Sequence, residues 1–244
     1  MVKVSIITVC LNSSQTIRKT FYSVLNQTYA NIEYLVIDGK SSDGTIDIIK
    51  EYEELFLGRM RWISEKDRGI YDAMNKGIKL ATGTLIGILN SDDYYDADAV
   101  EVMVKAMTNE RYQILYGALR TWEKGEVSSI SLYFHKFLRD RMINHPSCFV
   151  SKAVYDDFGY YDTKYISAAD YDFMLRMSDK DVIHFYPVEH VIANYKTGGM
   201  CATKEAYMDL VKMQKAHGII SEKQYKKILI KHGICKLIEY IRGK

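Results

Sequence analysis

The stretch from Thr84 to Asp98 reads TLIGILNSDDYYDAD. Its apolar part, Leu85 to Leu89, predicts a short buried strand bounded by Gly83 and by polar residues. Two adjacent carboxylates, Asp92 and Asp93, follow where that strand ends. Ligands of open α/β sheets bind beyond the carboxyl ends of the strands, and neighbouring carboxylates suit a divalent cation shared with a diphosphate. A polar strand-to-helix turn also explains the same residues, so the choice between a metal site and a turn depends on the rest of the chain.

Strands alternate with helices on the amino-terminal side of this stretch. The predicted strands are 2–9, 32–37, 61–64 and 85–89, and the predicted helices are 17–25, 45–55 and 71–80. This alternation predicts an α/β fold with a doubly wound, mostly parallel sheet, right-handed crossovers and flanking helices. Beyond it we predict a helix at 97–107, a strand at 113–122, a polar hairpin or loop at 123–131, a helix from about residue 168, and helices from residue 203 onward.

Composition narrows the class of protein. The chain has 244 residues, 48% of them hydrophobic, and a net charge of +2, which is too low for a general nucleic-acid binder. Its four cysteines are far apart and form no C-x-x-C pair, which argues against a zinc site and favours a reducing compartment. The chain starts directly with a predicted strand, and no apolar run approaches the roughly 20 residues of a membrane span. We therefore expect a cytoplasmic protein.

Carboxylates recur at the ends of successive predicted strands: Asp38, Asp67 and the Asp92/Asp93 pair. Each would lie at the edge where a nucleotide binds, and a carboxylate can accept the N–H of a uracil ring or a ribose hydroxyl. Taken singly, Asp38 could be a turn residue and Asp67 a surface partner of Arg68. The loop after the first strand, CLNSS, lacks both G-x-G-x-x-G and a P-loop, so a metal would have to neutralise any diphosphate.

Residues 1–98 also resemble a known family in the order and spacing of their motifs. These are SIITVCLNSSQTI (5–17), SVLNQTYANIEYLVIDGKSSDGT (23–45), EKDRGIYDAMNKGI (65–78), ATG (81–83) and NSDDYY (90–95). They resemble the bacterial family 2 glycosyltransferases of GT-A fold that build cell-surface polysaccharides. Lys40 departs from the glycine or alanine common there. The resemblance implies an inverting enzyme, a nucleotide-sugar donor, most often a UDP-sugar, and Mn or Mg.

The resemblance also assigns roles to residues of the donor site. Thr8 and the backbone near Leu11 would line the base pocket, Asp38 and Asp67 would read the base, Arg68 would lie near the base or diphosphate, Asp92 would contact the ribose or sugar, and Asp93 would ligate the metal. The helix 71–80, with Asp72 and Asn75, would support the donor-sugar pocket, although Asn75 fits a packed helix equally well.

Inverting transfer needs a carboxylate base for the acceptor hydroxyl. The resemblance points to ISAADYDFMLRM (166–177), where Ala169-Asp170 replaces the family's Glu-Asp and leaves Asp170 as the base, with Asp172 as the alternative. Favourable charge at a helix start explains either acid without catalysis. We expect His145 to be packed or on the acceptor side, and Gly198-Gly199 with Lys196 to resemble a loop that closes over the diphosphate.

The end of the chain is basic. Residues 204–244 hold ten Lys/Arg and four Asp/Glu, a net of +6 in a chain of +2. Ile234, Leu237, Ile238 and Ile241 follow helical spacing, so an amphipathic helix could either lie on an anionic membrane or dock on the body. We divide the chain into a GT-A domain (1–200, with a nucleotide-binding half 1–98 and an acceptor half 99–200) and a helical extension (201–244).

The sequence thus predicts a glycosyltransferase that moves a sugar from a nucleotide to a hydroxyl of a surface glycan or a polyprenyl-diphosphate-linked acceptor. A sugar nucleotidyltransferase is the alternative enzyme, but it would need a glycine-rich basic loop that CLNSSQT does not provide. An inactive nucleotide-sugar-binding module is the alternative outside enzymes. A glycosidase also uses two carboxylates, yet it needs no base pocket.

Overall fold

The computed structural model describes residues 1–196 and 203–242, and the side chains of 1–196 and 203–233. Within these ranges there are nine strands and eight α-helices. In chain order they are β1 Val4–Cys10, α1 Ile17–Leu25, β2 Ile32–Asp38, α2 Thr45–Leu55, β3 Met60–Ser64, α3 Ile70–Leu80, β4 Leu85–Ile88, β5 Tyr94–Tyr95, α4 Ala99–Ala106, β6 Gln113–Glu123, β7 Glu126–Ser131, β8 Cys148–Ser151, α5 Lys152–Phe158, α6 Ala169–Ser178, β9 His184–Lys196, α7 Lys204–Ala216 and α8 Glu222–Arg242. Short 3-10 turns occupy His135–Phe137 and His145–Ser147.

The strands form a single mixed sheet. Their order is β3-β2-β1-β4-β8-β6-β9-β5, with β7 paired to β6. The strands β3, β2, β1 and β4 are all parallel, as the alternation of strands and helices predicts. Beyond β4 the sheet is mixed, because β8 runs antiparallel to both β4 and β6, whereas β9 is parallel to β6. The expectation of a mostly parallel sheet therefore holds for the first half of the chain only.

Helices cover both faces of the parallel half. All seven residues of β1 and all seven of β2 are buried. Successive side chains point to opposite faces, so Ile6 packs in the cluster with Phe21 of α1, whereas Ile7 packs in the cluster with Met74 and Ile78 of α3. Strands buried on both faces need continuous apolar sequence, which is why these segments can be predicted as strands from the sequence.

The carboxyl ends of the parallel strands meet at one edge of the sheet. Cys10 pairs with Asp38 at the ends of β1 and β2, and the Gly39 N–H donates to the Cys10 carbonyl at 2.8 Å. Beside them, the Leu89 N–H after β4 donates to the Ile7 carbonyl at 2.9 Å. The polar segments that follow β1, β2, β3 and β4 therefore lie along one edge, where ligands of such sheets bind.

The second half of the chain differs from the prediction in two places. The thirteen-residue strand β9 is not predicted, because its letters mix His, Glu and Lys with apolar residues and its pairing with β6 shifts register. The helix α7 is predicted, but it packs on the body: Val211 is 1% exposed and Met213 is fully buried. The first part of the predicted extension is thus docked on the core.

A buried carboxylate, that of Glu33, stabilises the end of the sheet where the parallel strands begin. Glu33 is 7% exposed and accepts from the Ser5 hydroxyl, the Thr82 backbone N–H and the Gly83 N–H, while Lys3 and Arg61 lie 3.2 Å away. Burial alone would raise the pKa of Glu33, but these hydrogen bonds outweigh it and lower the pKa from 4.5 to about 2. The charged form of Glu33 therefore stabilises the turn before β4.

We expect Glu33→Gln to lower the free energy of unfolding by about 3 kcal/mol, because it removes the charge that these donors and cations surround. The folded-state pKa is depressed, so this stabilisation is complete above pH 4.5 and disappears as the pH falls towards about 2. Urea unfolding of wild type and variant at several pH values measures it. Glu54→Gln, on the exposed side of α2, should change stability by less than about 0.5 kcal/mol. A constant difference between wild type and Glu33→Gln from pH 7 to pH 3 would contradict this account.

Candidate functional site

The loop after β2 is organised around Asp38, which is fully buried. Its carboxylate accepts from the Lys40 and Ser41 backbone N–H groups at 3.0 Å, from the Ser41 hydroxyl at 2.5 Å and from the Ser64 hydroxyl at 2.6 Å. The Cys10 thiol lies 3.6 Å from the same group. These donors enclose the carboxylate, so it orders the loop and is not free to accept the N–H of a base. This corrects the expectation that Asp38 reads the base directly.

Thr8 is also enclosed. It is fully buried, and its hydroxyl accepts from the Tyr34 hydroxyl at 2.8 Å inside the core between β1 and β2. The Thr8 side chain therefore does not line the base pocket as expected. Every position of β1 is buried, so the Thr8 side chain faces a covered layer of the sheet whichever face it points to.

Leu11, Gly39 and Asp67 come together at the carboxyl edge. A Cβ atom on Gly39 would lie 3.2 Å from Asp67 Oδ2, 3.4 Å from Leu11 Cδ1 and 3.5 Å from the Cys10 carbonyl oxygen. Leu11 is 62% exposed, so it offers an apolar surface to solvent beside a carboxylate. A flat polar ring that stacks on Leu11 and donates to Asp67 fits this pairing of chemistries.

Asp67 is only partly neutralised by its own neighbours. Lys76 Nζ lies 2.6 Å from Asp67 Oδ1 and 2.8 Å from Glu65. Burial raises the pKa of Asp67 above its usual value, and the ion pair with Lys76 opposes that rise. Asp67 Oδ2 is the oxygen that faces Gly39, so it is the atom placed to contact a ligand.

Arg68 and Asp72 join at the start of α3. The Arg68 backbone N–H donates to Asp72 at 3.0 Å, and its guanidinium lies 3.2 Å from the same carboxylate. The Arg68 side chain is 84% exposed, so it can leave Asp72 for a diphosphate at little cost. The predicted role of Arg68 stays compatible with this position.

Asn75 connects α3 to the acceptor half. Its side-chain N–H₂ donates to the Tyr161 carbonyl at 2.9 Å, and its carbonyl accepts from the Tyr161 N–H at 3.1 Å. Both polar atoms of this 9%-exposed side chain are thus paired with backbone. Asn75 acts as a clamp between two halves of the fold, which favours the packed-helix alternative over contact with a sugar.

The two acids after β4 have opposite environments. Asp92 is exposed and has no hydrogen bond or ion pair within the described part of the chain. Asp93 is fully buried, and it accepts from Asn90 at 3.5 Å and from the Lys196 backbone N–H. Burial and the charge of Asp92 raise the pKa of Asp93 well above its usual range. The sequence treats these acids as a pair, but only Asp92 faces solvent.

Asp170 lies in the first turn of α6 and is half-buried. Its Oδ1 accepts from the Tyr71 hydroxyl at 2.8 Å, so the amino ends of α3 and α6 meet there. The helix α3 begins three residues after Asp67, which lies beside Gly39. Through its contact with Tyr71 of α3, Asp170 therefore lies at the same edge of the sheet as the donor-side residues. No cation pairs with Asp170 among the described residues, which leaves its carboxylate available to a ligand.

Asp172, the alternative base, is held inside the fold. It is 3% exposed, and its two oxygens accept from Arg176 Nε and His217 Nε2, each at 2.8 Å. A carboxylate paired in this way has no exposed oxygen for an acceptor hydroxyl. The structure therefore distinguishes the available carboxylate of Asp170 from the enclosed one of Asp172, which the sequence ADYD does not.

His145 is packed inside the fold, which is one of the two positions expected for it. It is 8% exposed, and its Nε2 lies 3.0 Å from the Tyr161 hydroxyl, which in turn lies 3.2 Å from the Tyr155 hydroxyl. Desolvation lowers the pKa of His145, so the ring is neutral inside this tyrosine cluster. The tyrosine rings of this cluster pack against Phe173 and so support α6.

A model of the family described as "Glycosyl transferase family 2" matches residues 5–185. This match covers more than half of the 244-residue chain and includes Asp38, Asp67, Asp92 and Asp170. The chain belongs to glycosyl transferase family 2.

Curated relatives of this glycosyltransferase have related names. A "PGL/p-HBAD biosynthesis glycosyltransferase" of Mycobacterium tuberculosis is 29% identical over 202 residues, which is 82% of this chain and 79% of that protein. An uncharacterized glycosyltransferase of the same organism is 31% identical over 226 residues, covering 88% and 84% of the two chains. Chondroitin synthase of Escherichia coli is 30% identical over 183 residues, covering 72% of this chain but 26% of that protein.

Solved structures confirm the GT-A fold of the glycosyltransferase. Residues 1–349 of Staphylococcus aureus TarS, in complex with UDP-GlcNAc, give a TM-score of 0.73 at 16% identity and cover 93% of this chain and 70% of that one. The mannosyltransferase PcManGT of Pyrobaculum calidifontis, in complex with GDP-Man and Mn²⁺, gives 0.68 at 16% identity, with 91% and 65% covered. A longer TarS chain is matched over 42% of its length, also at 16% identity. Because these identities are so low, the likenesses show the fold alone.

The family implies a divalent metal, and the residues after β4 fit one in chemistry. Asp92 presents an open carboxylate, while Asn90 Oδ1 and Asp93 Oδ1 are buried oxygens that lack a hydrogen-bond partner among the described residues. All three are oxygens, the atoms that Mg and Mn prefer as ligands, but in this conformation only Asp92 of the three is open to a bound ion. No group of three or more His, Cys, Asp or Glu side chains in the described part of the glycosyltransferase could hold a metal alone. Oxygens of a bound diphosphate would therefore have to complete the coordination.

Two residues that hold α6 in place are not recognisable from the sequence. Asp209 of α7 is 5% exposed and accepts from the Ile166 and Ser167 backbone N–H groups, both at 2.8 Å. His217, at the end of α7, pairs with Asp172. They fix the segment that leads into Asp170 from more than thirty residues away along the chain. The sequence gives no signal of this, because only the tertiary fold brings α7 beside α6.

The loop Gly198-Gly199 lies outside the described residues, and so do the side chains of Ile234, Leu237, Ile238 and Ile241. Lys196, just before that loop, is exposed. No helix of the described residues combines the length and the hydrophobicity needed to cross a bilayer.

Proposed function

We propose that this glycosyltransferase is an inverting, metal-dependent enzyme that transfers one sugar from a nucleotide-sugar, most often a UDP-sugar, to an acceptor hydroxyl. The observation that carries the proposal is the presence of two accessible carboxylates, Asp92 and Asp170, at an edge where Asp38, Asp93 and Asp172 are enclosed. One open acid on each side of a donor is what such a displacement requires. The TarS and PcManGT complexes, with UDP-GlcNAc and GDP-Man, support a nucleotide-sugar donor.

On the donor side, we propose that the base stacks on Leu11 and donates its N–H to Asp67 Oδ2. Asp38 fixes the loop that forms the floor of this pocket, through its bonds to Lys40, Ser41 and Ser64. Arg68 moves from Asp72 to the diphosphate, since its side chain is exposed. Thr8 and Asn75 do not line the pocket: Thr8 packs in the core, and Asn75 holds α3 to the backbone of Tyr161.

Asp92 would hold the metal together with diphosphate oxygens, so the metal-ligand role moves from Asp93, where the family resemblance placed it, to Asp92, which the resemblance assigned to the ribose or sugar. When bound, the metal would stabilise the negative charge of the leaving diphosphate. Asn90 donates to the buried Asp93 at 3.5 Å, and this bond helps to fix the loop that carries Asp92.

Asp170 accepts the proton of the acceptor hydroxyl as that oxygen attacks the anomeric carbon. The Tyr71 hydroxyl donates to Asp170 Oδ1, which leaves Oδ2 to face the acceptor. The hydrogen bond from Tyr71 also orients the carboxylate. The contacts that Asp209 of α7 and His217 at its end make with residues in and just before α6 keep that helix in position. The acceptor approaches from the side opposite the diphosphate, so the configuration inverts.

Titration calorimetry tests the donor site. We expect one of UDP, GDP, CDP and dTDP to bind in the presence of Mn, and a chelator to abolish that binding. Asp67→Asn should weaken the preferred nucleotide by about tenfold, because it alters one hydrogen bond to the base. Asp47→Asn, an exposed acid on α2, should leave the affinity unchanged. Absence of binding by all four nucleotides would contradict the proposal and favour a module that has lost activity.

We propose a surface glycan or a lipid-linked oligosaccharide as the acceptor, with the enzyme on the cytoplasmic face of the membrane. A relative is named for PGL/p-HBAD biosynthesis, which supports a glycosyltransferase that acts in a biosynthetic route. The helix α8 contributes lysines at helical spacing, among them Lys223, Lys226 and Lys227, and a basic helix is attracted to anionic lipid.

Vesicle flotation tests the contribution of α8. We expect Lys223→Gln/Lys226→Gln/Lys227→Gln to weaken binding to phosphatidylglycerol vesicles, since each lysine near such a surface contributes about 1 kcal/mol. Lys50→Gln, on the exposed side of α2, is the control for loss of charge. Equal binding by the wild type and the triple variant would exclude α8 as a membrane contact.

A further inference from the structure

Residues 132–142, LYFHKFLRDRM, form an exposed segment with aromatic and basic side chains, here called the aromatic–basic segment. Its centre is the 3-10 turn His135–Phe137. Phe134 is 37% exposed and Phe137 is 52% exposed. Phe134 precedes the turn and Phe137 ends it, and both ring centres lie within 5.8 Å of the same Lys136 Nζ, so they form one apolar projection around that cation. The chemistry of the proposed reaction uses neither ring.

Cations surround this projection. Lys136 Nζ lies 5.1 Å from the centre of the Phe137 ring and 5.8 Å from that of Phe134. Arg141 lies 4.6 Å from the Tyr133 ring. With Arg139 and a single acid, Asp140, the segment has a net charge of +2. Aromatic rings bordered by cations suit the boundary of an anionic bilayer, where rings enter the acyl region and cations meet headgroups.

The segment is held firmly by the body of the protein. Leu138 is 2% exposed and Ile143 is fully buried, so they anchor the segment on either side of Arg139 and Arg141. The Tyr171 hydroxyl donates to the Leu138 carbonyl at 2.5 Å, which ties the segment to the first turn of α6. A projection fixed in this way loses little conformational entropy when it binds a surface.

The segment also adjoins the basic α8. Arg139 Nη2 donates to the His217 carbonyl at 3.0 Å, at the turn between α7 and α8. Arg139 therefore links the segment to the turn from which the basic α8 starts. A fluid bilayer can accept two rings without a preformed pocket and meets both basic elements at once, whereas an acidic protein would need a pocket shaped for the rings.

We propose that the aromatic–basic segment docks the enzyme on an anionic membrane, with Phe134 and Phe137 inserted and with Lys136, Arg139 and Arg141 among the headgroups. The docking itself does not depend on the proposed reaction. Only its consequence rests on that reaction: since Tyr171 follows Asp170, docking would bring the proposed base to the membrane plane, where a lipid-linked hydroxyl is presented.

Flotation of the full chain tests the proposal with vesicles of 30% phosphatidylglycerol in phosphatidylcholine and with phosphatidylcholine alone. We expect the wild type to bind the anionic vesicles and Phe134→Ser/Phe137→Ser to bind them at least about tenfold more weakly, since two inserted rings are lost. Leu55→Ser/Leu57→Ser is the matched control, because Leu55 and Leu57 are 51% and 85% exposed near Arg59, just before the edge strand β3, which four strands separate from β6 in the sheet. It should bind like the wild type.

Three results would overturn the proposal: wild-type protein that binds neither vesicle, a phenylalanine variant that binds like the wild type, or a control that weakens equally. Loss of self-association in light scattering, with unchanged vesicle binding, would assign the rings to a second copy and also overturn it. Nucleotide titration of the phenylalanine variant separates this question from the reaction. Unchanged nucleotide affinity with weakened vesicle binding supports docking, whatever the outcome for Asp170.

Discussion

Asp170→Asn is expected to lower turnover by about 10³-fold, while the affinity for the nucleotide stays within twofold of the wild type. The amide keeps the shape of the side chain and can still accept from the Tyr71 hydroxyl, but it cannot take the proton of an acceptor hydroxyl. Asp170 belongs to α6 and contacts none of Leu11, Asp67 or Asp92 in the donor pocket, so donor binding should survive. Steady-state kinetics with a nucleotide-sugar, together with calorimetry of the nucleotide, measures both quantities.

Asp172→Asn is the matched control, two residues away on the same helix. Asp172 is buried between Arg176 and His217, so this variant should lose stability, by about 3 kcal/mol, but keep the turnover of its folded fraction. Thermal unfolding quantifies the folded fraction in each assay. The assignment fails if Asp170→Asn retains near-wild-type turnover while folded Asp172→Asn is inactive, because Asp172 would then be the base.

The contrast between these two acids shows how far a sequence can be interpreted. The first four strands are predictable because β1 and β2 are buried on both faces and therefore have continuous apolar letters. The edge at which the acids gather follows from the parallel connection of those strands. Which acid is open does not follow, because burial depends on partners such as His217 and Lys196 that are distant in the chain.

Other failures have related physical causes. Asp38 ends β2 and Asp67 follows β3, yet Ser41 and Ser64 enclose the first carboxylate, whereas Gly39 leaves the second open. No pattern in the letters distinguishes a carboxylate that orders its own loop from one that awaits a ligand. The strand β9 escapes prediction because one part of it is half-exposed and its register with β6 shifts, so its letters show neither strict alternation nor a continuous apolar run.

Asp92→Asn is expected to abolish the metal dependence of nucleotide binding and to lower turnover by about 10³-fold, since a metal at a leaving diphosphate contributes several kcal/mol. The reason is accessibility: Asp92 is exposed and lacks a partner among the described residues, whereas the carboxylate of Asp93 is enclosed beneath it. Calorimetry of the preferred nucleotide at a series of Mn concentrations measures the coupling between metal and nucleotide.

Asp93→Asn provides the opposing arm of this experiment. The amide has the same shape and can still meet Asn90, and the site it enters already disfavours a charge, so metal-dependent binding should stay within about threefold of the wild type. Loss of metal dependence in Asp93→Asn but not in Asp92→Asn would restore the assignment made from the sequence. It would also mean that the loop after β4 rearranges on binding to bring Asp93 to the metal, because its fully buried carboxylate cannot reach one in this conformation.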